Sequence, residues 1–591
     1  MGPGFKPQRS HQIYTRKVKT LRVFLFVKML CYSVKAEKRV LLVIILYSVQ
    51  ICTIGVFMYL RLMQVPVPLD FDQAVLKKVL ADRLKCTPFK LSKIEIVSRS
   101  IDSRSKQRQP FYSLSVECRV KINVIPEHLK QNEYKIIERE DAEVVEPIKI
   151  DPSVAKVLVV GAGPAGLMAT LLLAESGFSP IMIDRGASSE DRKKQVDAFW
   201  EKGELDPESN VLYGEGGAGL FSDGKLTARS KDNSRMNRFF EILVEAGADP
   251  DIKIDTLPHV GSDKLHDVCP KIRQRILDAG GEIRFNTKLD NILFAEDGAV
   301  KGAVLNGEEL AVKDIVLATG HSARDVFKML YDLGVKVEAK AFAVGVRVEI
   351  PQDIINQSQR GKWCRITSLG AASYKLTQKA EDGGRGCYSF CMCPGGIVIP
   401  CASEPGMVTS NGMSYDARDL PFSNSAFLVG ITPADFPKCD IPELAGIEFQ
   451  RDIERKCYEA AGYGLAATRL KDFMSKNGSA SLPEKHSFPN SKPANLYDIL
   501  PPVVTDSLRK AIKPMIKKLR TVGIEDVLIY AAETRSSSPV RVVRDRYTCE
   551  AENNAGLYPT GEGAGYSGGI VSSGIDGIRV AEALINKYQQ K

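Results

Sequence analysis

The residues with the clearest chemical content are glycines. Gly161, Gly163 and Gly166 stand in the order G-x-G-x-x-G, directly after an apolar run (KVLVV) and at the head of a helix-forming stretch that opens with Pro164 and Ala165. Such spacing serves a phosphate-bearing ligand. The first glycine permits a tight turn, the second lets a pyrophosphate reach the backbone, and the third lets the helix pack on the strand. The helix N-terminus adds free N–H groups and the positive end of a dipole. A second apolar run, PIMID, ends in Asp184 and Arg185 about twenty residues on, where an acid takes ribose hydroxyls.

Two distant segments turn this dinucleotide reading towards FAD rather than NAD. Residues 315–320 (IVLATG) read as a strand returning to the cofactor through Thr319 and Gly320. Residues 557–570 (LYPTGEGAGYSGGI) read as a strand, a glycine turn and a helix start. In that turn Gly561 and Glu562 are expected on the ribityl chain, with glutamate where aspartate is more usual. Gly568, Gly569 and Ile570 are expected at the pyrimidine edge of the flavin, where a helix dipole favours an anionic reduced ring.

Other groups could do chemistry. The loop 213–226 (YGEGGAGLFSDGKL) places Gly216 and Gly217 near Ser222, Asp223 and Lys225. It reads either as backbone brought against the cofactor or as a glycine-rich surface loop. Lys225 is a candidate for stabilising charge on reduced flavin, and His321 is the histidine placed to approach the cofactor. Glu533, Arg535, Arg541 and Arg544 suit an anionic substrate, or equally structural ion pairs with Glu533 and Asp545. Cys387, Cys391, Cys393 and Cys401 match neither zinc pairs nor ferredoxin spacing, so no metal is expected. They read as buried small residues, with Cys391 and Cys393 as candidate substrate-facing or redox thiols. No second G-x-G-x-x-G follows a strand, so NAD(P)H or another electron donor would come from outside the chain.

Several of these segments carry a resemblance. SRSIDSR at 98–104, the 213–226 loop, FCMCPGG at 390–396, NGMS at 411–414, ETRSSSPVR at 533–541 and the C-terminal glycine motif resemble the uncharacterised FAD-dependent dehydrogenases of bacteria and plant plastids. The resemblance spans about residue 70 to the C-terminus. It implies a flavoprotein with a glutathione-reductase-like FAD fold, and it implies a chloroplast stromal location for plant members.

Positioning these groups requires an α/β chain with a split Rossmann-type FAD-binding domain at 154–340 and 531–591. Between its halves, residues 341–530 read as a largely β substrate domain, from their short apolar runs and many glycines and prolines. A small α+β module, ferredoxin-like in its helix-then-strands order, is expected at 65–129, with a charged linker at 130–153. Residues 1–64 form a basic leader.

The formal charge of +9 is confined to that leader. Residues 1–69 carry eleven Lys and Arg against Glu37 alone, a net +10, which leaves −1 for the other 522 residues. The folded body therefore has no excess charge for nucleic acid. Residues 40–60 are apolar and uncharged over 21 positions, long enough for a membrane helix. A transit peptide is the competing reading, favoured by thirteen cysteines without paired spacing, which suit a reducing compartment. The functional expectation is hydride transfer between flavin and a small substrate. An electron carrier docking a protein partner and a non-catalytic flavin-bound assembly factor are the alternatives; a substrate-sized cavity at the flavin separates the first from the last.

Overall fold

The computed structural model describes residues 57–105, 107–122, 124–137, 156–227, 230–380 and 384–590. The N-terminal module begins earlier than the sequence pattern placed it. Its first strand is Phe57–Val67, in which Leu60, Leu62, Val65 and Val67 alternate into a small core. The helix Gln73–Arg83, started by the Asp72 side chain accepting from the Val75 N–H, covers one face of the sheet. The strands Leu91–Asp102, Phe111–Lys121 and Tyr134–Ile136 complete it, all antiparallel to their neighbours. In chain order the sheet runs second, third, first, fourth, the arrangement of a split βαβ unit. One helix serves it among the described residues, since turns occupy the third-to-fourth strand connection.

This overturns the 21-residue membrane helix at its C-terminal end. Residues 57–60 are strand, paired across to Lys121, Val120, Arg119 and Cys118. Hydropathy alone cannot separate an apolar helix from an alternating strand whose outward positions, Phe57 and Tyr59, happen to be aromatic. The remainder of the run lies outside the described residues. Among the described residues no helix is long and apolar enough to cross a membrane.

The module docks on the next domain through Arg99, from the SRSIDSR segment. Its backbone exchanges hydrogen bonds with Ile254 and Thr256, and its guanidinium reaches Asp255 at 2.7 Å and Asp251 at 2.7 Å.

The second domain is built on a five-stranded parallel sheet in the order Leu557–Pro559, Asp314–Leu317, Lys156–Val160, Ser179–Ile183, Glu282–Arg284. Both faces are covered, which explains why these strands are runs of Val, Ile and Leu without alternation. The helices Pro164–Glu175 and Ile570–Gln589 pack on each other, and Gly577 allows it, since a methyl there would overlap the Ala165 carbonyl. The final strand and helix thus complete a sheet begun four hundred residues earlier.

The inserted domain is mixed rather than largely β. Its seven-stranded sheet has Phe342–Pro351 at its centre, flanked by Phe422–Ile431 and Leu528–Glu533, with Cys387–Cys393 beyond. Against it lie the helices Ala445–Ala461 and Pro502–Lys517. Pro514 inside the second helix breaks its sequence pattern, and the apolar positions of the first are spaced by charged residues on its solvent face. The domain also ends later, because the last central strand runs to Glu533.

Leu60 is fully buried in the module core. Leu60→Ala should therefore destabilise that module by about 2–5 kcal/mol, seen as earlier hydrogen-exchange deprotection over residues 57–137 under urea. Unchanged protection would show that this stretch is not part of the sheet.

Candidate functional site

One cavity collects most of the residues singled out by sequence. Gly161, Gly163, Pro164, Ala165, Asp184, Arg185, Gly217, Ser222, Asp223, Lys225, Thr319, Gly320, His321, Cys391, Cys393, Arg535, Gly561, Glu562, Gly568, Gly569 and Ile570 all line it. Gly166 and Gly216 do not. Gly166 lies under the turn, where any side chain would collide with the Gly161 carbonyl, and Gly216 donates its N–H to the Ala162 carbonyl at 2.9 Å. Both build the cradle without facing into it.

The cradle is shaped for an anionic ligand. The helices Pro164–Glu175 and Ile570–Gln589 both start at a glycine, Gly163 and Gly569, and neither N-terminus is capped by a side chain. Their first-turn N–H groups have no partner within the helix. Gly569 has φ +133°, which a side chain rarely adopts, and a methyl at Gly568 or Gly569 would meet only open space. These residues fit the phosphates and ring edge of a bound dinucleotide.

Asp184 sits where the sequence put it, with a further duty. Its Oδ2 accepts from the Ala162 N–H at 2.7 Å and its Oδ1 from the Gly186 N–H at 2.8 Å, so it holds the two turns of the cradle together. Burial raises its pKa against those two bonds. An ionised carboxylate has about four lone-pair sites, so each oxygen keeps one for a ribose hydroxyl.

The loop 213–226 is not a surface loop. Arg192, which sequence reasoning missed, is fully buried and clamps it, donating to the carbonyls of Asn210 (2.7 Å), Val211 (2.8 Å) and Glu215 (2.6 Å). Tyr213 donates to the Ser322 carbonyl at 2.5 Å and so ties the loop to the segment after Ala-Thr-Gly. The cue for Arg192 was weak, since it stands among the charges of an ordinary amphipathic helix, Ser189–Lys202.

Ion pairs form at Glu533, Arg535 and Arg544, but with different partners from those expected, whereas Arg541 makes none among the described residues and lies over the Tyr566 ring at 5.6 Å. Glu533 binds fully buried Arg347 (2.8 and 3.2 Å), Arg535 binds Glu454 (2.9 and 2.8 Å), and Arg544 binds Asp576 (2.6 and 3.0 Å). Asp545 instead accepts backbone N–H groups of its own turn. Asp576 also takes the Gly561 N–H and the Thr560 hydroxyl, so the last pair fixes the C-terminal glycine turn. Arg347 further donates to Asn411, Asn424 and the Cys391 carbonyl, joining the NGMS and FCMCPGG segments at the cavity wall.

Among the described residues, two charged groups of the cavity wall have no dedicated partner. Among its cations, Arg185 is held by Asp325 at 2.5 Å and Arg535 by Glu454. Lys225 has only Asp223 at 3.4 Å, and that carboxylate is already taken by Arg418 (2.5 and 3.2 Å) and by the Ser414 hydroxyl. Among its acids, the Glu562 carboxylate makes no side-chain hydrogen bond or ion pair among the described residues; burial pushes its carboxyl up to about 7, against the pull of Lys340. The His321 imidazole is pushed down to about 3 by burial and by Arg535 and Arg324, so it is neutral, with Nδ1 2.9 Å from the Ser322 hydroxyl.

The cysteines separate. Cys387, Cys393 and Cys401 are buried, while Cys391 opens into the cavity from a left-handed position (φ +40°) at an irregularity in its strand. A bulge of this kind re-aims a side chain. Among the described residues no group of three or more His, Cys, Asp or Glu is arranged to hold a metal. Phe390, Asn411, Gly412 and Ser536 also line the cavity and were not named as site residues beforehand. Three of them fall within the motifs FCMCPGG and NGMS, which was the available signal.

A two-part glycine cradle on a parallel sheet, roofed by a mixed sheet, defines a protein with an FAD-binding domain. Sequence comparison agrees: residues 154–196 match the FAD binding domain, 341–536 match "FAD-dependent protein, C-terminal domain-like", and 60–119 match a domain of unknown function. An uncharacterized protein of Clostridium beijerinckii is 42% identical over 540 residues, covering 90% of this chain and 99% of that protein. The chain belongs to this family of FAD-dependent proteins. More distantly, Protein FixC of Salmonella typhi is 24% identical over 215 residues, 34% of this chain and 44% of FixC. The solved halogenase PltM in complex with phloroglucinol and FAD aligns over 74% of this chain and 70% of that one, at 13% identity and TM-score 0.34.

Removing one partner of a buried ion pair strands the other. Glu533→Ala should destabilise the inserted domain by about 3–5 kcal/mol, whereas Arg544→Ala should also loosen the 560–569 turn and lower FAD affinity. Equal FAD affinity in Arg544→Ala and wild type would show that the turn is held by other contacts. A pH test follows from Glu562. Its carboxyl is raised in the folded protein, so the native state holds the extra proton and stability falls as pH rises from about 4.5 to about 7. Glu562→Gln should flatten that part of the apoprotein's unfolding curve relative to wild type; an unaltered pH slope would contradict this.

Proposed function

We propose that this protein is an FAD-dependent oxidoreductase that passes a hydride between flavin and a small substrate held beneath the seven-stranded sheet. The observation that carries this reading is the composition of the cavity wall. Gly161, Gly163, Gly561 and Gly569 come from the Rossmann domain, whereas Phe390, Cys391, Asn411 and Glu533 come from the inserted domain. A cofactor-only site needs the first set alone; the second makes room for another molecule.

FAD, when bound, supplies a two-electron acceptor and donor. Asp184 would hold its ribose, the N-terminus of Pro164–Glu175 its pyrophosphate, Glu562 its ribityl chain and the N-terminus of Ile570–Gln589 its ring edge. The protein's own groups do the rest. Lys225 offers an ammonium to negative charge in the cavity, and the Arg347–Glu533 pair keeps the roof rigid and neutral. Neutral His321 can give or take one hydrogen bond without bringing a charge. The inserted sheet excludes water, which strengthens each of these interactions. With no second dinucleotide fingerprint in the sequence, the reductant or oxidant is an external NAD(P)H or an electron-donor protein.

Purified protein should be yellow and release FAD, not FMN, on denaturation. Gly163→Val should carry no flavin, because its side chain would stand in the cradle, and Asp184→Ala should bind FAD about 1–3 kcal/mol more weakly. Stopped-flow mixing with NADH, NADPH and reduced ferredoxin should bleach the flavin with at least one of them. A flavin inert to all three, or FMN in place of FAD, would sink the reading.

A further inference from the structure

A groove runs across the outer face of the seven-stranded sheet and opens into the cofactor cavity. The two share Phe390, Ser536 and Gly568 as lining residues. Exposed Tyr388 and half-buried Phe390 supply its apolar surface over buried Leu428, while Phe342 and Ile431 border it with their side chains turned into the helix-covered core. Its charged residue is Arg385, and that charge is spent: the guanidinium grips Asp435 through two bonds (2.6 and 2.7 Å) and the Gly430 carbonyl at 2.6 Å. The groove therefore offers area without charge. Tyr388 is 38% exposed in it, an aromatic that an apolar ligand would cover.

At the inner end the character reverses. Phe390 is followed at once by Cys391, and Lys225 lines the same cavity wall as both. Lys225 lies 3.4 Å from Asp223, which accepts from the Ser414 hydroxyl, and Ser414 pairs with Gly396, three residues after Cys393, so the lysine stands beside the segment that follows Phe390. It is the lining cation whose carboxylate neighbour, Asp223, is already engaged by Arg418. The Lys225 side chain keeps 31% of its surface exposed and shares its carboxylate neighbour with Arg418, so its ammonium can take an anion that enters the cavity. The cofactor's own anionic part is accounted for elsewhere, by the helix N-terminus at Gly163.

We infer that the substrate is an amphiphilic anion, a carboxylate carried on an apolar body, whose acid group is held by Lys225 while the body lies in the groove past Phe390 and Tyr388. This rests on the oxidoreductase reading and narrows its substrate class. No covalent step is implied. The groove selects by area and the lysine by charge, so neither a short acid nor a long alcohol satisfies both.

The test uses FAD-loaded full-length protein and four probes: acetate, hexanoate, octanoate and 1-octanol. Binding is followed by flavin difference spectra and, on the same samples, by calorimetry, so that a spectrally silent site is still counted. A fully buried methylene is worth roughly fourfold in affinity, so octanoate should bind at least about 100-fold more tightly than acetate, with hexanoate between them. Octanol should bind at least about tenfold more weakly than octanoate, the scale of a lost charge-assisted hydrogen bond. Lys225→Met should remove the preference for octanoate over octanol, and Tyr388→Ala should flatten the chain-length series while leaving that preference. Equal binding of acetate and octanoate, equal binding of octanol and octanoate, or no binding of any probe to flavin-loaded protein would each overturn the inference. A protein that takes up no FAD would instead defeat the oxidoreductase reading on which it stands.

Discussion

Three glycine-bearing turns must approach one cavity with nothing but backbone between them and the ligand. Gly161–Gly166, Gly214–Gly217 and Gly561–Gly569 come from widely separated parts of the chain, yet their backbones are in contact range. A methyl on Gly161 would overlap the Ala318 carbonyl, and one on Gly217 would press on Gly163. Polar backbone groups can be left facing a cavity only if something else holds them there, because each unpaired N–H is costly. Much of the remaining architecture is the apparatus that does so.

That apparatus is made of buried charges bound to backbone. Asp184 ties Ala162 to Gly186, Arg192 gathers four carbonyls of the 210–215 segment, and Asp576 takes the Gly561 N–H while pairing with Arg544. A charged group in a low-dielectric interior has few tolerable positions, so it fixes the turn it binds more tightly than an apolar contact would. The roof follows the same rule. Arg347 holds Glu533, Asn411, Asn424 and the Cys391 carbonyl, so four segments of the inserted domain meet at one guanidinium in the sheet that roofs the cavity.

This division explains how the site can serve chemistry. Charges used for construction are matched and face backbone or each other. Among the described residues, Lys225 and Glu562 face the cavity without a dedicated partner, one in the 213–226 loop and one in the C-terminal turn. Groups spent on structure cannot adapt to a ligand, whereas unspent ones can, at the expense of stability while the cavity holds none.

The sequence alone determined the cofactor cradle. Glycine spacing, flanking strands and the acid at Asp184 are local features, and local features survive in one dimension because neighbours in the chain are neighbours in space. The split of the Rossmann domain was also legible, from a strand–turn–helix pattern reappearing after residue 557. Tertiary structure decided the rest. Residues 57–60 read as the end of a membrane helix until Phe111–Lys121 paired with them, because apolar content does not say which partner covers it. The helices Ala445–Ala461 and Pro502–Lys517 were hidden, one behind charged spacing and one behind Pro514, and only packing on the sheet stabilises them there. The partners of Arg535 and Arg544 lie 81 and 32 residues away, so their proximity depends on how the sheet and the last helix return the chain. Which charge stayed unmatched could be counted only after every other pairing was fixed in three dimensions, since a residue's type gives its charge but not its neighbour.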